Sequence, residues 1–117
     1  MSDEKVETVR SESSGTIGRA RSRAHGADIV LDSSSRPQPD ALTNSEAFLA
    51  GVSSCGVTLI EMDAKDTGVP LRSMSATIAG ARSNAEPNRF SRVEMSFELA
   101  GVSQAQAETL VETYRGR

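Results

Sequence analysis

Thr43-Asn44-Ser45-Glu46-Ala47-Phe48-Leu49-Ala50-Gly51-Val52-Ser53-Ser54-Cys55-Gly56 is the stretch that decides the fold of this chain. Phe48, Val52, Cys55, Leu59 and Met62 recur at spacings of four, three, four and three, so Thr43 to Lys65 is predicted to be a long helix with these five on one buried stripe. Thr43 and Glu46 have the spacing of a capping box, in which a hydroxyl and a carboxylate each satisfy an orphan backbone N–H. At the other end Lys65 suits the negative end of the helix dipole, Gly68 can take a left-handed cap, and Pro70 blocks continuation. Gly51 and Gly56 each cost about 1 kcal/mol relative to Ala inside a helix and therefore call for a packing reason. Ala47, Ala50, Gly51, Ser54 and Thr58 form a second stripe of small side chains, a candidate face for another helix.

Outward from the helix, Ile17 to Arg23 and Ala27 to Asp32 flank His25-Gly26 and read as a hairpin. A strand is expected around Val6 to Arg10 in the otherwise polar N-terminus. Ser33 to Asp40 combines Ser, Pro and Asp and reads as an exposed loop. Beyond the helix, Met74, Ala76 and Ile78 alternate with polar or small residues, and after the turn-rich Ser83–Asn88 segment Val93, Met95, Phe97 and Leu99 alternate with Glu94, Ser96 and Glu98. Ser103 and Gln106 form a second capping box, opening a helix whose apolar side is Ala107, Leu110, Val111 and Tyr114.

At 117 residues, 37% of them hydrophobic and 25% charged, the chain fits a single globular domain over 1–117 and excludes a two-domain enzyme. Only 3% are aromatic and there is no Trp, so the core is thin and a partner chain is expected. A net charge of -3 with so few aromatics disfavours nucleic acid as a partner. The single cysteine cannot form an intrachain disulfide, and Met1 to Gly15 has no apolar run resembling a signal peptide, so a reducing cytoplasm is the expected location. No stretch approaches about 20 consecutive apolar residues, so no membrane span is expected.

Cys55 is the only strong nucleophile candidate, and it would react as a thiolate. Cys55 lies about three turns into the helix, where the dipole has faded, so a guanidinium must supply the stabilising charge. Arg19, Arg21 and Arg23 fall on one face of the predicted hairpin, and Arg36 in the loop is a second source. Each feature also has a plain reading. Cys55 can be a small buried hydrophobe, the arginine row a solvated strand face, and Glu46 a capping residue. His25, in a turn, reads as a surface residue. One Cys and one His cannot provide zinc's usual four ligands, and the glycines lack phosphate-loop spacing, so neither metal nor cofactor is expected.

Thr43 to Gly56, with Glu46 nine positions before Cys55 and small residues leading to it, resembles the signature helix of the OsmC/Ohr family. The order of hairpin, long Cys-bearing helix, two strands and second helix agrees over about Gly15 to Tyr114. The resemblance implies an α+β, OsmC-like domain lacking part of the family's C-terminal region and assembled as an intertwined homodimer. It further implies a thiol-dependent peroxidase that reduces organic hydroperoxides, with Cys55 as the peroxidatic residue, one of Arg19, Arg21, Arg23 and Arg36 activating it, and Glu46 orienting that arginine. The resolving cysteine such enzymes carry after the second helix is missing before the chain ends at Arg117. Either the sequence is truncated or an external thiol reduces the sulfenic acid. The alternative within the same fold is a non-catalytic dimer that binds a small apolar molecule and in which Cys55 only packs.

Overall fold

The computed structural model describes residues 3–116. The element order is β1 (Arg10–Ser13), β2 (Arg19–Ala24), β3 (Ala27–Asp32), β4 (Leu42–Thr43), α1 (Asn44–Thr67), β5 (Ser73–Ala81), β6 (Arg92–Ala100) and α2 (Gln104–Arg115). Within this mixed α+β architecture the chain divides into two compact units, one ending at Phe48 and the other starting at Leu49.

The first unit is a four-stranded sheet in the order β1-β2-β3-β4. The predicted hairpin is present: β2 and β3 pair antiparallel from Arg19↔Asp32 to Ala24↔Ala27. His25 (φ 39°) and Gly26 (φ 92°) both take positive φ, the combination that a two-residue primed turn needs to match the twist of its strands. The N-terminal strand lies further along than expected, at Arg10–Ser13 instead of around Val6 to Arg10. Val6 and Val9, within the expected range, are 76% and 64% exposed. Backbone pairing from Arg10↔Arg23 to Ser13↔Ala20 and a 2.7 Å hydroxyl contact between Ser11 and Ser22 fix the strand in place of apolar burial. β4, unforeseen from sequence, is a two-residue parallel bridge to β3 inside the expected approach to the helix. The buried residues of this unit are polar: Ser22, Asp32 and Thr43.

The second unit packs α1 from Leu49 onward and α2 with the antiparallel β5–β6 ribbon, which pairs from Ser73↔Ala100 to Ala81↔Arg92. Its core is Ile60, Ala64 and Leu110, surrounded by Val69, Leu71, Met74, Phe97, Leu99, Val111 and Tyr114. Met95, Phe97 and Leu99 are half-buried and Glu94, Ser96 and Glu98 exposed, the alternation read from sequence, while Val93 at its start is 45% exposed. Both caps of α2 and α1 form as expected. Ser103 Oγ accepts from the Gln106 amide at 3.1 Å while Gln106 Oε1 accepts from the Ser103 amide at 3.0 Å. At the end of α1, Gly68 has φ 72°, its amide donates to the Lys65 carbonyl, and the Val69 amide donates to the Ala64 carbonyl at 2.9 Å, the paired bonds of a Schellman cap.

The buried face of α1 differs from the predicted one. Gly56, Ile60 and Ala64 are buried, whereas Phe48 is 60% and Met62 53% exposed and Cys55 is exposed. The two stripes are about a third of a turn apart at 3.6 residues per turn. Steric fit selects the buried one: a Cβ on Gly56 would lie 3.2 Å from the Phe97 ring and 3.4 Å from the Tyr114 hydroxyl oxygen. Phe97 and Tyr114 meet edge-on with centroids 5.8 Å apart, and the missing side chain lets this pair approach the helix. Among the described residues nothing lies within 4 Å of a would-be Cβ on Gly51, and Ala50, Ser54 and Thr58 are exposed, while Ala47 of the same stripe is half-buried.

Candidate functional site

Cys55 sits midway along α1 as an exposed free thiol. Half-buried Val52 and Leu59 and exposed Phe48 and Met62 share its stripe, so the sulfur emerges from an apolar strip of helix. The strip is longer than one turn because α1 runs unbroken for 24 residues between well-made caps. This apolarity also modifies one expectation. By length and composition alone, α1 is long and apolar enough to cross a bilayer. The central helix of a globular fold meets the same criterion, and Ser53, Ser54, Thr58 and Glu61 interrupt its surface.

The arginines of β2 have distinct fates although they share a strand face. Arg19 is turned inward, with Nε donating to Asp32 Oδ1 at 2.7 Å and Nη2 to Asp32 Oδ2 at 3.1 Å. Nη2 also donates to Asp40 Oδ1 at 2.6 Å and Nη1 to Asp40 Oδ2 at 3.3 Å, so all three guanidinium nitrogens are engaged. These hydrogen bonds, from Asp32 first and Asp40 second, raise the guanidinium further above its already high ordinary value. Reciprocally, the Arg19 hydrogen bond holds both carboxyls below the usual carboxylate range, and the Gln38 amide adds to the effect at Asp32. Arg23 pairs with Asp28 at 3.5 Å. Arg21 is exposed, opposite Glu12 in the β1–β2 register, while Glu12 itself pairs with Arg10.

Glu46 forms the capping box read from sequence. Its Oε1 accepts from the Thr43 amide at 2.9 Å, and the Glu46 amide donates to Thr43 Oγ1 at 3.2 Å. Arg36, in the Ser33–Asp40 loop, lays its aliphatic stem over Gly18, where a Cβ would meet its Cδ at 2.8 Å. His25 is exposed, and among the described residues no three His, Cys, Asp or Glu side chains gather in a way that could hold a metal ion. The Arg19–Asp32–Asp40 cluster escaped sequence reading because its members are 13 and 21 residues apart. Only the β2–β3 register, which places Arg19 opposite Asp32, could have signalled it.

Neither a scan of family models nor a search of curated proteins finds a match to the sequence. The architecture does find matches. An OsmC-like protein from Mycoplasma pneumoniae superposes with a TM-score of 0.83 at 15% identity, over 99% of this chain and 84% of that one. The chain has the OsmC-like fold. An organic hydroperoxide resistance protein from Elizabethkingia anophelis gives 0.69 at 14% identity, over 96% and 82% of the two chains. An organic hydroperoxide resistance protein OsmC from Legionella pneumophila gives 0.67 at 20% identity, over 92% and 80%. In this OsmC-like chain the expected order of hairpin, Cys-bearing helix, ribbon and second helix is realised.

Proposed function

We propose that this OsmC-like chain is a thiol-dependent peroxidase that reduces organic hydroperoxides through Cys55 and works as a homodimer in a reducing cytoplasm. The observation that carries this reading is an exposed thiol in the middle of a partly exposed apolar strip of α1. Such a strip suits both an apolar peroxide and the same helix of a second chain. Two solved proteins with this fold are organic hydroperoxide resistance proteins, which supports this reading of the reaction class.

In the proposed reaction the Cys55 thiolate attacks the distal peroxide oxygen, the O–O bond breaks, and the alkoxide takes a proton and leaves as the alcohol. Sulfur, oxidised by two electrons, is left as a sulfenic acid. An external thiol condenses with it, releasing water, and a second thiol frees Cys55 and leaves with the first as a disulfide. A guanidinium stabilises the thiolate and the departing alkoxide. Arg21 and Arg36 form no ion pair among the described residues and are the candidates for that role, whereas Arg19 is occupied by two aspartates and Glu46 by its cap.

The test is to treat reduced protein with cumene hydroperoxide in the presence of a sulfenic-acid trap and to follow Cys55 by mass spectrometry. Trapped Cys55, with one alcohol formed per thiol lost, is the expected result, and a Cys55 that stays reduced under excess peroxide overturns the proposal. The full engagement of Arg19 favours a second reading, a non-catalytic dimer that holds a small apolar molecule. Under it, Cys55→Ala leaves ligand binding and dimerisation intact.

A further inference from the structure

Residues Ser33–Asp40 leave the sheet at the end of β3 and return at β4, and the ties that hold them converge on Gly18 and Arg19. The Ser33 amide donates to the Gly18 carbonyl at 2.7 Å, and the Arg36 amide donates to the Ser33 carbonyl at 3.0 Å. The Gln38 amide donates to Asp32 Oδ2 at 3.1 Å, and the Arg36 stem covers Gly18. The last tie is Arg19 to Asp40. The two carboxylates on Arg19 are not equivalent. The Asp32 side chain is 1% exposed, that of Arg19 20%, and that of Asp40 70%.

We propose that Arg19, Asp32 and Asp40 form a two-part latch on the Ser33–Asp40 loop, with an inner half that stays closed and an outer half that ionic strength opens, so that the latch sets how Arg36 is presented. The inner half is the bidentate Arg19–Asp32 pair, shielded from water, onto which the loop lays its Gln38 amide only while the outer half holds the loop down. Breaking it would strand a buried charge. The outer half is also bidentate, yet its carboxylate stands in solvent, where salt screens the attraction. Arg19 is thus a positioning residue: its charge is spent on the loop that carries Arg36. Gly18, at φ 89°, has no side chain and lets the Arg36 stem lie against the backbone beside the latch.

Amide hydrogen exchange on the full chain reads the latch directly, whether or not Cys55 reduces peroxides. Asp40→Asn should speed exchange at Gln38 by about fivefold, the scale of an exposed ion pair, while β2 and β3 amides keep their rates. Raising salt from about 0.1 M to about 1 M shortens the screening length from about 10 Å to about 3 Å. It should speed Gln38 exchange in the wild type and in Asp40→Glu, and leave Asp40→Asn unchanged. Equal Gln38 rates in wild type and Asp40→Asn would overturn the proposal. So would salt acceleration that persists undiminished in Asp40→Asn, or acceleration spread evenly over β2 and β3, which would make Asp40 a support of the whole sheet. A failure of the peroxide assay with these exchange results intact would remove the peroxidase and leave the latch.

Discussion

Ile60→Ala tests which side of α1 faces the core. Ile60 is fully buried among Ala64, Leu110 and the surrounding apolar residues of the second unit. The substitution removes three carbons, worth about 2.4 kcal/mol at about 0.8 kcal/mol each. The cavity left between two helices and a ribbon brings the expected loss to about 3–4 kcal/mol, within the range for such truncations. With a urea dependence of about 2 kcal/mol per molar, the unfolding midpoint should fall by about 1.5–2 M at unchanged slope. Met62→Ala, two positions on and 53% exposed, should cost about 0.5 kcal/mol or less in the isolated chain. If a second chain covers the outer strip, the Met62→Ala loss grows and the midpoint becomes dependent on protein concentration. A larger shift for Met62→Ala than for Ile60→Ala at high dilution would refute the assignment of the buried face.

Gly101 takes φ 91°, and a Cβ there would lie 2.8 Å from the Pro70 carbonyl oxygen and 2.9 Å from the Arg72 amide nitrogen, both backbone atoms. Gly101→Ala should therefore cost about 2 kcal/mol or more, and a thermal midpoint equal to wild type would contradict the close approach. Ser103→Ala, which removes the hydroxyl half of the α2 cap, should cost about 1 kcal/mol by urea titration, with Ser103→Asp recovering most of it. Asp32 and Asp40 have folded-state pKa values below the ordinary value of about 4, so the unfolded chain binds protons more readily. The stability they contribute is complete above about pH 4 and is lost as the pH falls through their folded-state values. Asp32→Asn should flatten the acid limb of a plot of urea midpoint against pH, and an unchanged limb would count against the pairing with Arg19.

Elements written in local chemistry were legible in the sequence. Thr43 with Glu46, Ser103 with Gln106, and Gly68 before Pro70 mark the helix ends through bonds spanning a few residues, and all three form. The β6 alternation was legible because one sheet face is covered and the other wet. The buried face of α1 was not. Phe48, Val52, Leu59 and Met62 are a better apolar stripe than Gly56, Ile60 and Ala64, and periodicity cannot tell a strip that faces the core from one that faces outward. What distinguishes them is the room needed by Phe97 and Tyr114, which lie 41 and 58 residues beyond Gly56 in the chain. The same holds for Arg19, whose role depends on register and on a loop that returns to it. The N-terminal strand was misplaced because its pairing is backbone and hydroxyl chemistry beside valines that stay exposed.

The β5–β6 ribbon is nine residues long on each side and stands as a sheet of two. Each strand consequently keeps one margin of amides and carbonyls outside the ladder, able to template any extended polypeptide that drifts past. Newly made chains at high concentration are thus exposed to runaway polymerisation along this margin, and charges such as Arg92, Glu94 and Glu98 act as the local brake. Neutralising those charges should shorten the shelf life of concentrated stocks long before it alters the folded protomer.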